Sequence, residues 1–275
     1  MNVLSSFRQL SRVLAQDSRL ARVGAGRGWF VSRHYLGRFR SRFGLTSRET
    51  LGRFRVANKE IVVHVMPEQL GALYGIFGDD EYDLTKLLSS VPETVLDLGA
   101  NSGMATVYLQ AHYPNARFAC VEPDPRNIKL LQKTLASNHL SETVTVFPVA
   151  VSANPGQLQL RMGENSTCSA LETSPMHELT DSTLVEVTTI PKLLESLGWE
   201  RINLLKIDIE GTEDELLSIN NSWLSKVDAV VLEIHPNTTP EKIQSYLSPF
   251  GFVLNPLERG IEPVYFASKK QKNIT

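Results

Sequence analysis

Residues 94–104 read TVLDLGANSGM, and this stretch decides the fold. An apolar run carries Asp97 near its end, a loop with two glycines follows, and a helical pattern starts at Met104. A strand that passes through a glycine loop into a helix opens a βαβ unit, and in open α/β sheets ligands sit at the carboxyl ends of such strands. Gly99 and Gly103 permit a tight turn and a close approach to backbone. The G-x-G-x-x-G spacing of a dinucleotide loop is missing, because Asn101 stands where its second glycine would be. No Walker A sequence occurs either. The segment from Gly99 through Asn101 and Ser102 to Gly103 is therefore expected to bind a nucleoside-like ligand without cradling a diphosphate. Asp97 would repel a diphosphate and suits an ammonium group.

The next strand ends in Val121, Glu122 and Pro123, with Glu122 placed 25 residues after Asp97. An acid at that place and distance accepts hydrogen bonds from ribose hydroxyls in related folds. Each carboxylate oxygen can take one hydroxyl of a cis-diol. Asp97 and Glu122 together describe a ligand with a cation and an intact ribose, which fits S-adenosyl-L-methionine. Ala150 and Val151, after the third strand, are expected to line the adenine slot.

Outward from this loop, strands and helices alternate. Strands are predicted at Thr94–Leu98, Arg117–Val121, Val144–Val151, Val185–Ile190, Ile202–Ile209 and Ala229–Ile234. Helices are predicted at Met104–His112, Pro125–Asn138, Pro191–Leu197, Glu213–Ile219 and Pro240–Pro249. This spacing implies a mostly parallel sheet. Phe252–Leu254 and Val264–Ala267 are joined by only nine residues, too few for a parallel crossover, so the chain should close on an antiparallel strand. Residues 152–183 break the pattern, with a short extra strand at Leu158–Met162. Val56 and Ile61–Val65 suggest a hairpin ahead of a helical stretch around Leu70–Phe77.

Charge divides the chain. Of 28 basic and 30 acidic side chains, residues 1–55 hold 12 arginines, no lysine and two acids, or +10; the remaining 220 residues hold 16 basic and 28 acidic side chains, or −12. The expected organisation is a basic helical arm over 1–55, a lead-in or cap segment over 56–90, and the main domain over 91–270. Val3, Phe7, Leu10 and Leu14 fall on one helical face of the arm, and residues from Trp29 to Phe43 are aromatic and basic. The arm suits a cap that packs on the domain or on a second subunit, contact with an anionic membrane surface, or a transit peptide. Nucleic acid ranks last, because the rest of the chain would repel phosphates. No apolar run approaches the ~20 residues that span a bilayer, and the expected location is cytoplasmic unless the arm directs it elsewhere. Two cysteines, Cys120 and Cys168, make neither a disulfide framework nor a zinc site.

Three segments, VLDLGANSG at 95–103, VEPDP at 121–125 and LLKIDIEGTEDELL at 204–217, resemble the FkbM family of S-adenosylmethionine-dependent methyltransferases. FPVAVS at 147–152 and LEIHP at 232–236 support the likeness, which covers roughly residues 60–268. The resemblance implies a Rossmann-like methyltransferase fold, with a mostly parallel seven-stranded sheet, a C-terminal antiparallel hairpin strand and helices on both faces. It also implies O-methylation of a small-molecule hydroxyl, often on a sugar or a secondary metabolite. A non-catalytic nucleoside- or partner-binding protein on the same fold is the alternative.

Lys206, Asp208 and Glu210 share parity on one strand, so they cannot all be core residues of a sheet covered on both faces. Asp208 and Glu210 are expected at the open end of that strand, with Asp208 also near the cofactor, and Glu233 and His235 at the end of the next. His235 suits a base near neutral pH, and three carboxylates with water suit magnesium or calcium. Asp208, Glu210 and His235 are the candidate catalytic residues, and no metal is assigned. The alternative for Glu210 is a structural role, as a partner for Lys206 or as a backbone cap.

Overall fold

The computed structural model describes residues 48–162, 169–171, 181–259 and 263–269, with residues 14–16, 18–21, 24 and 32 nearer the N-terminus. Val3, Phe7 and Leu10 of the arm's apolar stripe, Cys168, and the stretch from Trp29 to Phe43 apart from Ser32 lie outside the described residues.

The elements follow in chain order. Strands Thr50–Val56 (β1) and Lys59–Val65 (β2) form an antiparallel hairpin with Thr50 opposite Val65. Burial alternates along β1, with Phe54 and Val56 inward and Arg53 and Arg55 outward, as the two-residue period of a strand on a core requires. A single 3-10 turn (Pro67–Gln69) leads into helix α1 (Leu70–Gly78), whose Phe77 stacks on Phe54 with ring centroids 4.3 Å apart. Then come β3 (Thr94–Leu98), α2 (Met104–His112), β4 (Arg117–Val121), α3 (Pro125–Ser137) and β5 (Val144–Phe147). A second group holds β6 (Ala150–Val151), β7 (Gly156–Met162), β8 (Ser169–Leu171) and β9 (Asp181–Thr188). The chain continues through α4 (Ile190–Leu197), β10 (Ile202–Ile207), α5 (Glu213–Ser218), β11 (Val227–Glu233), α6 (Pro240–Leu247), β12 (Phe252–Pro256) and β13 (Val264–Lys269).

The main sheet has seven strands in the order β12-β13-β11-β10-β3-β4-β5. The pairs from β11 to β5 are parallel, and β13 runs antiparallel to both β11 and β12. This is the expected Rossmann-like methyltransferase fold. Alternate residues of each central strand feed two cores. Val95, Phe118, Leu204 and Val231 pack with α1, α2, α3 and the hairpin. Leu96, Ala119, Leu205 and Val230 pack with α4, α5 and α6. Helices cover both faces, as near-continuous apolar strands demand.

Helix α3 shows how the sequence sets an element. Asp124 accepts a hydrogen bond from Arg126 N at 2.8 Å as N-cap, a contact worth about 1 kcal/mol. Pro125 fits the first turn, and Leu130, Leu131, Thr134 and Leu135 bury one face. Asn138, which reads as an ordinary helix-terminal asparagine, also accepts from Val62 N at 3.0 Å and donates to Val62 O, fastening the hairpin to α3.

The predicted strand Val144–Val151 is two strands. β5 ends at Phe147, Pro148 lacks the N–H a sheet ladder needs, and β6 pairs with β9 in a separate four-stranded sheet. β9 likewise stops at Thr188, because Ile190 and Pro191 open α4. No helix among the described residues is long and apolar enough to cross a membrane.

Candidate active site

The glycine loop hangs on the end of β4. Gly99 N and Ala100 N both donate to Val121 O, at 2.9 and 3.1 Å, and Asn101 N donates to Glu122 Oε2 at 2.8 Å. Gly99 has a φ of +73°, and a Cβ placed there would lie 1.7 Å from the backbone oxygen of Asp208. Only glycine lets β3 and the end of β10 approach this closely. Gly103, with φ +84°, opens α2; a Cβ there would lie 2.6 Å from Leu131.

Glu122 is nearly buried, and protein groups hold both of its oxygens. Oε1 accepts from Asp124 N at 2.9 Å and Asn127 Nδ2 at 3.4 Å. Burial pushes its pKa up to about 7 against the pull of the Asp124 and Asn101 N–H groups, and the Asp124 charge adds to the rise. The structure places Gly99, Asn101, Glu122, Pro123, Ala150 and Asp208, all read from sequence, on the wall of one cavity. It adds Asn127, Leu160, Ile209 and Thr212, which the sequence reading missed. The slot thus has a carboxylate and amide edge with an apolar remainder, which matches the ribose and base of a nucleoside.

Three residues read as cofactor-binding take other places. Asp97 is fully buried and lines neither cavity described here, so it does not face an ammonium group. It sits opposite Lys206 in the β3–β10 register, 3.0 Å from Lys206 Nζ, and accepts from Thr106 Oγ1 at 2.6 Å. Ser102 is buried beneath the loop, and Gly103 serves the helix start. Neither reaches the slot. Lys206 turns to other groups than Glu210. Besides Asp97 it reaches Asp208 at 3.5 Å and donates to Gly99 O at 3.1 Å. Burial lowers the lysine's pKa, but the Asp97 and Asp208 charges outweigh this and raise it.

Gln69 also went unread. It is buried, its Oε1 accepts from Met66 N at 2.9 Å, and its Nε2 donates to the Oδ1 atoms of Asn101 and Asn127. No local pattern marks it, since its partners lie in two other motifs.

A second cavity of about 500 Å³ abuts the slot and shares Gly99, Asn101, Asp208 and Glu210 with it. Glu68, Glu81, Tyr82, Lys206, Glu233 and His235 complete its charged and polar wall. The turn after β10 brings Glu210 here with φ +52°, followed by Gly211 at +92°. Glu213 fastens this turn by accepting from Ile209 N and Gly211 N at 3.3 and 3.2 Å. The same carboxylate lies 2.8 Å from His235 Nδ1. That oxygen already accepts from two backbone N–H groups, so Nδ1 is the donor and carries a proton, and Nε2 is the ring's other nitrogen, on the side of Glu210 and Glu233.

Crowding of acids dominates the electrostatics. Burial and then the Asp208 charge raise Glu210 to about 8 and Glu233 to about 9, with His235 opposing both. Burial works to lower His235, but the Glu213 hydrogen bond and charge, with Asp208 and Glu233, carry it up to about 10. The expectation of His235 as a base near neutral pH therefore does not fit: its surroundings favour a positive charge there. Burial also raises Tyr82 well above the usual phenol value, with Glu81, Asp208 and Glu233 adding to it.

The Methyltransferase FkbM domain matches residues 97–254. The chain is 28% identical over 207 residues to Methyltransferase sdnD of Sordaria araneosa, covering 64% of this chain and 79% of that one. It is 23% identical over 165 residues to the 2-O-methyltransferase NoeI of Sinorhizobium fredii, covering 54% and 66%. The solved Methyltransferase FkbM of Methylobacillus flagellatus aligns with a TM-score of 0.49 and 19% identity over 67% of this chain, which spans only 46% of that structure.

Proposed function

Since the chain belongs to the FkbM methyltransferase family, we propose that it transfers the methyl group of S-adenosyl-L-methionine to a hydroxyl of a sugar or secondary metabolite. The observation that carries this reading is the shared wall: Gly99, Asn101, Asp208 and Glu210 border both the slot beside Glu122 and the acidic chamber. A donor in the slot and an acceptor in the chamber meet at these residues. When bound, S-adenosyl-L-methionine supplies a methyl group on a sulfonium that departs as a neutral thioether. Glu122 would accept its ribose hydroxyls, Asn101 and Asn127 edge the slot, and Ala150, Val151, Leu160 and Ile209 would give the base its apolar walls. The chain's main contribution is alignment of acceptor oxygen, methyl carbon and sulfur.

An alcohol needs a proton acceptor to become a good nucleophile. Glu210 stands at the junction of the two cavities and fills that role by position. Asp208, tied to Lys206, fixes the floor beside it. His235 lies 3.6 Å from Glu210 and orients that carboxylate by charge. NoeI, a relative named for 2-O-methylation, supports an oxygen acceptor here. Small acceptors and a location in the cytoplasm go with this reading.

The test has two parts. S-adenosylhomocysteine should raise the melting temperature, because it binds only the folded state, and Glu122→Ala should remove that rise. Incubation with hydroxylated acceptors should then give a product heavier by one CH₂ group. No shift at saturating ligand sinks the cofactor assignment, and a shift without any methylated product sinks the catalytic one.

A further inference from the structure

The geometry points to a divalent-cation site in the acidic chamber, with Asp208, Glu233 and His235 as its protein ligands; it rests on the reading of this chamber as the acceptor site. One ligand atom from each of these residues lies within 4.8 Å of the others. They come from the ends of neighbouring parallel strands, β10 and β11, so the sheet itself sets their spacing. The ion takes the place of the proton on His235 Nε2, which is released as it binds; two carboxylates and the imidazole so freed, with room for water and a substrate oxygen, suit a magnesium- or manganese-class ion.

Acids alone would not make a site, and two further observations point to a ligand. The first is His235, whose side chain is 8% exposed. Its Nδ1 is committed to Glu213, while Nε2 lies 3.6 Å from both Glu210 and Glu233 and makes no hydrogen bond among the described residues. A ring anchored through Nδ1 by a buried carboxylate, with Nε2 open on two acids, is the arrangement that orients a metal-binding histidine. The second is Tyr82, 3% exposed on the same cavity wall. Lys206 Nζ stands 5.9 Å from its ring centroid, and the Asp208 and Glu233 charges act on its hydroxyl. A phenol on the chamber wall beside an ion site is placed to donate to an oxygen of what the ion binds.

Charge agrees. Glu68, Glu81, Asp208, Glu210 and Glu233 border the chamber, and its lysine, Lys206, is shared between Asp97 and Asp208. An ion at this place draws the acceptor hydroxyl to the cavity junction and makes its proton more acidic. The proton passes to Glu210; the oxygen forms its bond to the methyl carbon as the carbon–sulfur bond breaks, and that electron pair leaves on sulfur.

Mn²⁺ titrated into the full-length protein, followed by the free-ion electron paramagnetic resonance signal, tests the site directly. One ion per chain is expected, with nitrogen modulation of the bound signal that disappears in His235→Gln. Glu233→Gln should weaken binding at least as much as Glu213→Gln, which leaves all three ligands in place but takes the charge from the acceptor of Nδ1 and should cost about 10–100-fold. Glu93→Gln, at the opposite end of β3, should change nothing. No binding by about 1 mM Mn²⁺, or binding unaffected by both His235→Gln and Glu213→Gln, overturns the site. The S-adenosylhomocysteine thermal shift is read on every sample. Where His235→Gln loses it through misfolding, Glu213→Gln decides. A wild-type shift without Mn²⁺ binding defeats the ion site and leaves the methyltransferase reading standing; Mn²⁺ binding without the shift defeats the cofactor reading.

Discussion

The slot and the chamber are built differently although they share a wall. In the slot, Glu122 is surrounded by donors already in place, Asn101 N, Asp124 N and Asn127 Nδ2. In the chamber, Asp208, Glu210 and Glu233 face one another and His235 at longer range. The slot is preorganised by backbone, and its ligand has only to fit. The chamber holds like charges that raise one another's pKa values, and its occupant has to compensate them. A site that stabilises the same cofactor through every turnover benefits from the first arrangement, and one that activates an acceptor benefits from the second.

The largest effect should come from the ion pair beneath both cavities. Lys206→Met leaves Asp97 buried without its cation and should cost about 3–5 kcal/mol in urea unfolding. Adding Asp97→Leu to the same chain should recover most of that loss, because an apolar pair replaces a charged one. A single variant that unfolds like wild type would show that slot and chamber do not depend on this pair. Next, Gly99→Ala should cost more than the roughly 1–2 kcal/mol of a left-handed residue, since its methyl also meets Asp208 O. It should abolish the S-adenosylhomocysteine shift, and retention of the shift would mean that the cavities are separable.

Glu122→Gln tests the slot alone. Losing a charged acceptor should weaken S-adenosylhomocysteine by about 1.5–3 kcal/mol, read by calorimetry, with Mn²⁺ binding unchanged. Glu122 titrates near 7 in the free protein because burial opposes its charge. The ribose hydroxyls need the ionised form, so affinity should fall about tenfold per pH unit below 7 and level off above it. A flat profile from pH 5 to 8 would remove Glu122 from the contact. The smallest effect tests the chamber. Arg259 Nη1 donates to Asp83 O at 2.8 Å, holding the loop that carries Glu81 and Tyr82. Arg259→Ala should cost under about 1 kcal/mol of stability but raise KM for the acceptor while cofactor affinity stays put. Equal loss of both would merge the two regions again.

The slot was largely legible because it is local: loop, acid and helix cap lie within residues 94–127, and their spacing carries the geometry. The closing antiparallel strand was legible from loop length alone. Asp97 was misread because its partner Lys206 is distant in sequence, and a strand-end acid looks the same whether it faces ligand or core. Parity did show that Lys206, Asp208 and Glu210 could not all be core, but not that Lys206 turns back to Asp97. The break at Pro148 was readable in principle, and the apolar run around it masked it. Tyr82 and Gln69 have no signature, since their roles exist only once the lead-in segment lies over the strand ends.

Lys206 also constrains the order in which the sheet can be completed. β3 and β4 leave the ribosome early, yet the lysine that neutralises Asp97 follows Gly99 by 107 residues. Until β10 arrives, tight packing around β3 would enclose an uncompensated carboxylate. The early half of the sheet should therefore stay loosely hydrated during synthesis, and docking of β10 on β3 becomes the step at which the protein commits to its fold. Non-local pairing of this kind favours slow, all-or-none assembly, so a nascent chain stalled before residue 206 should remain open to proteases along β3.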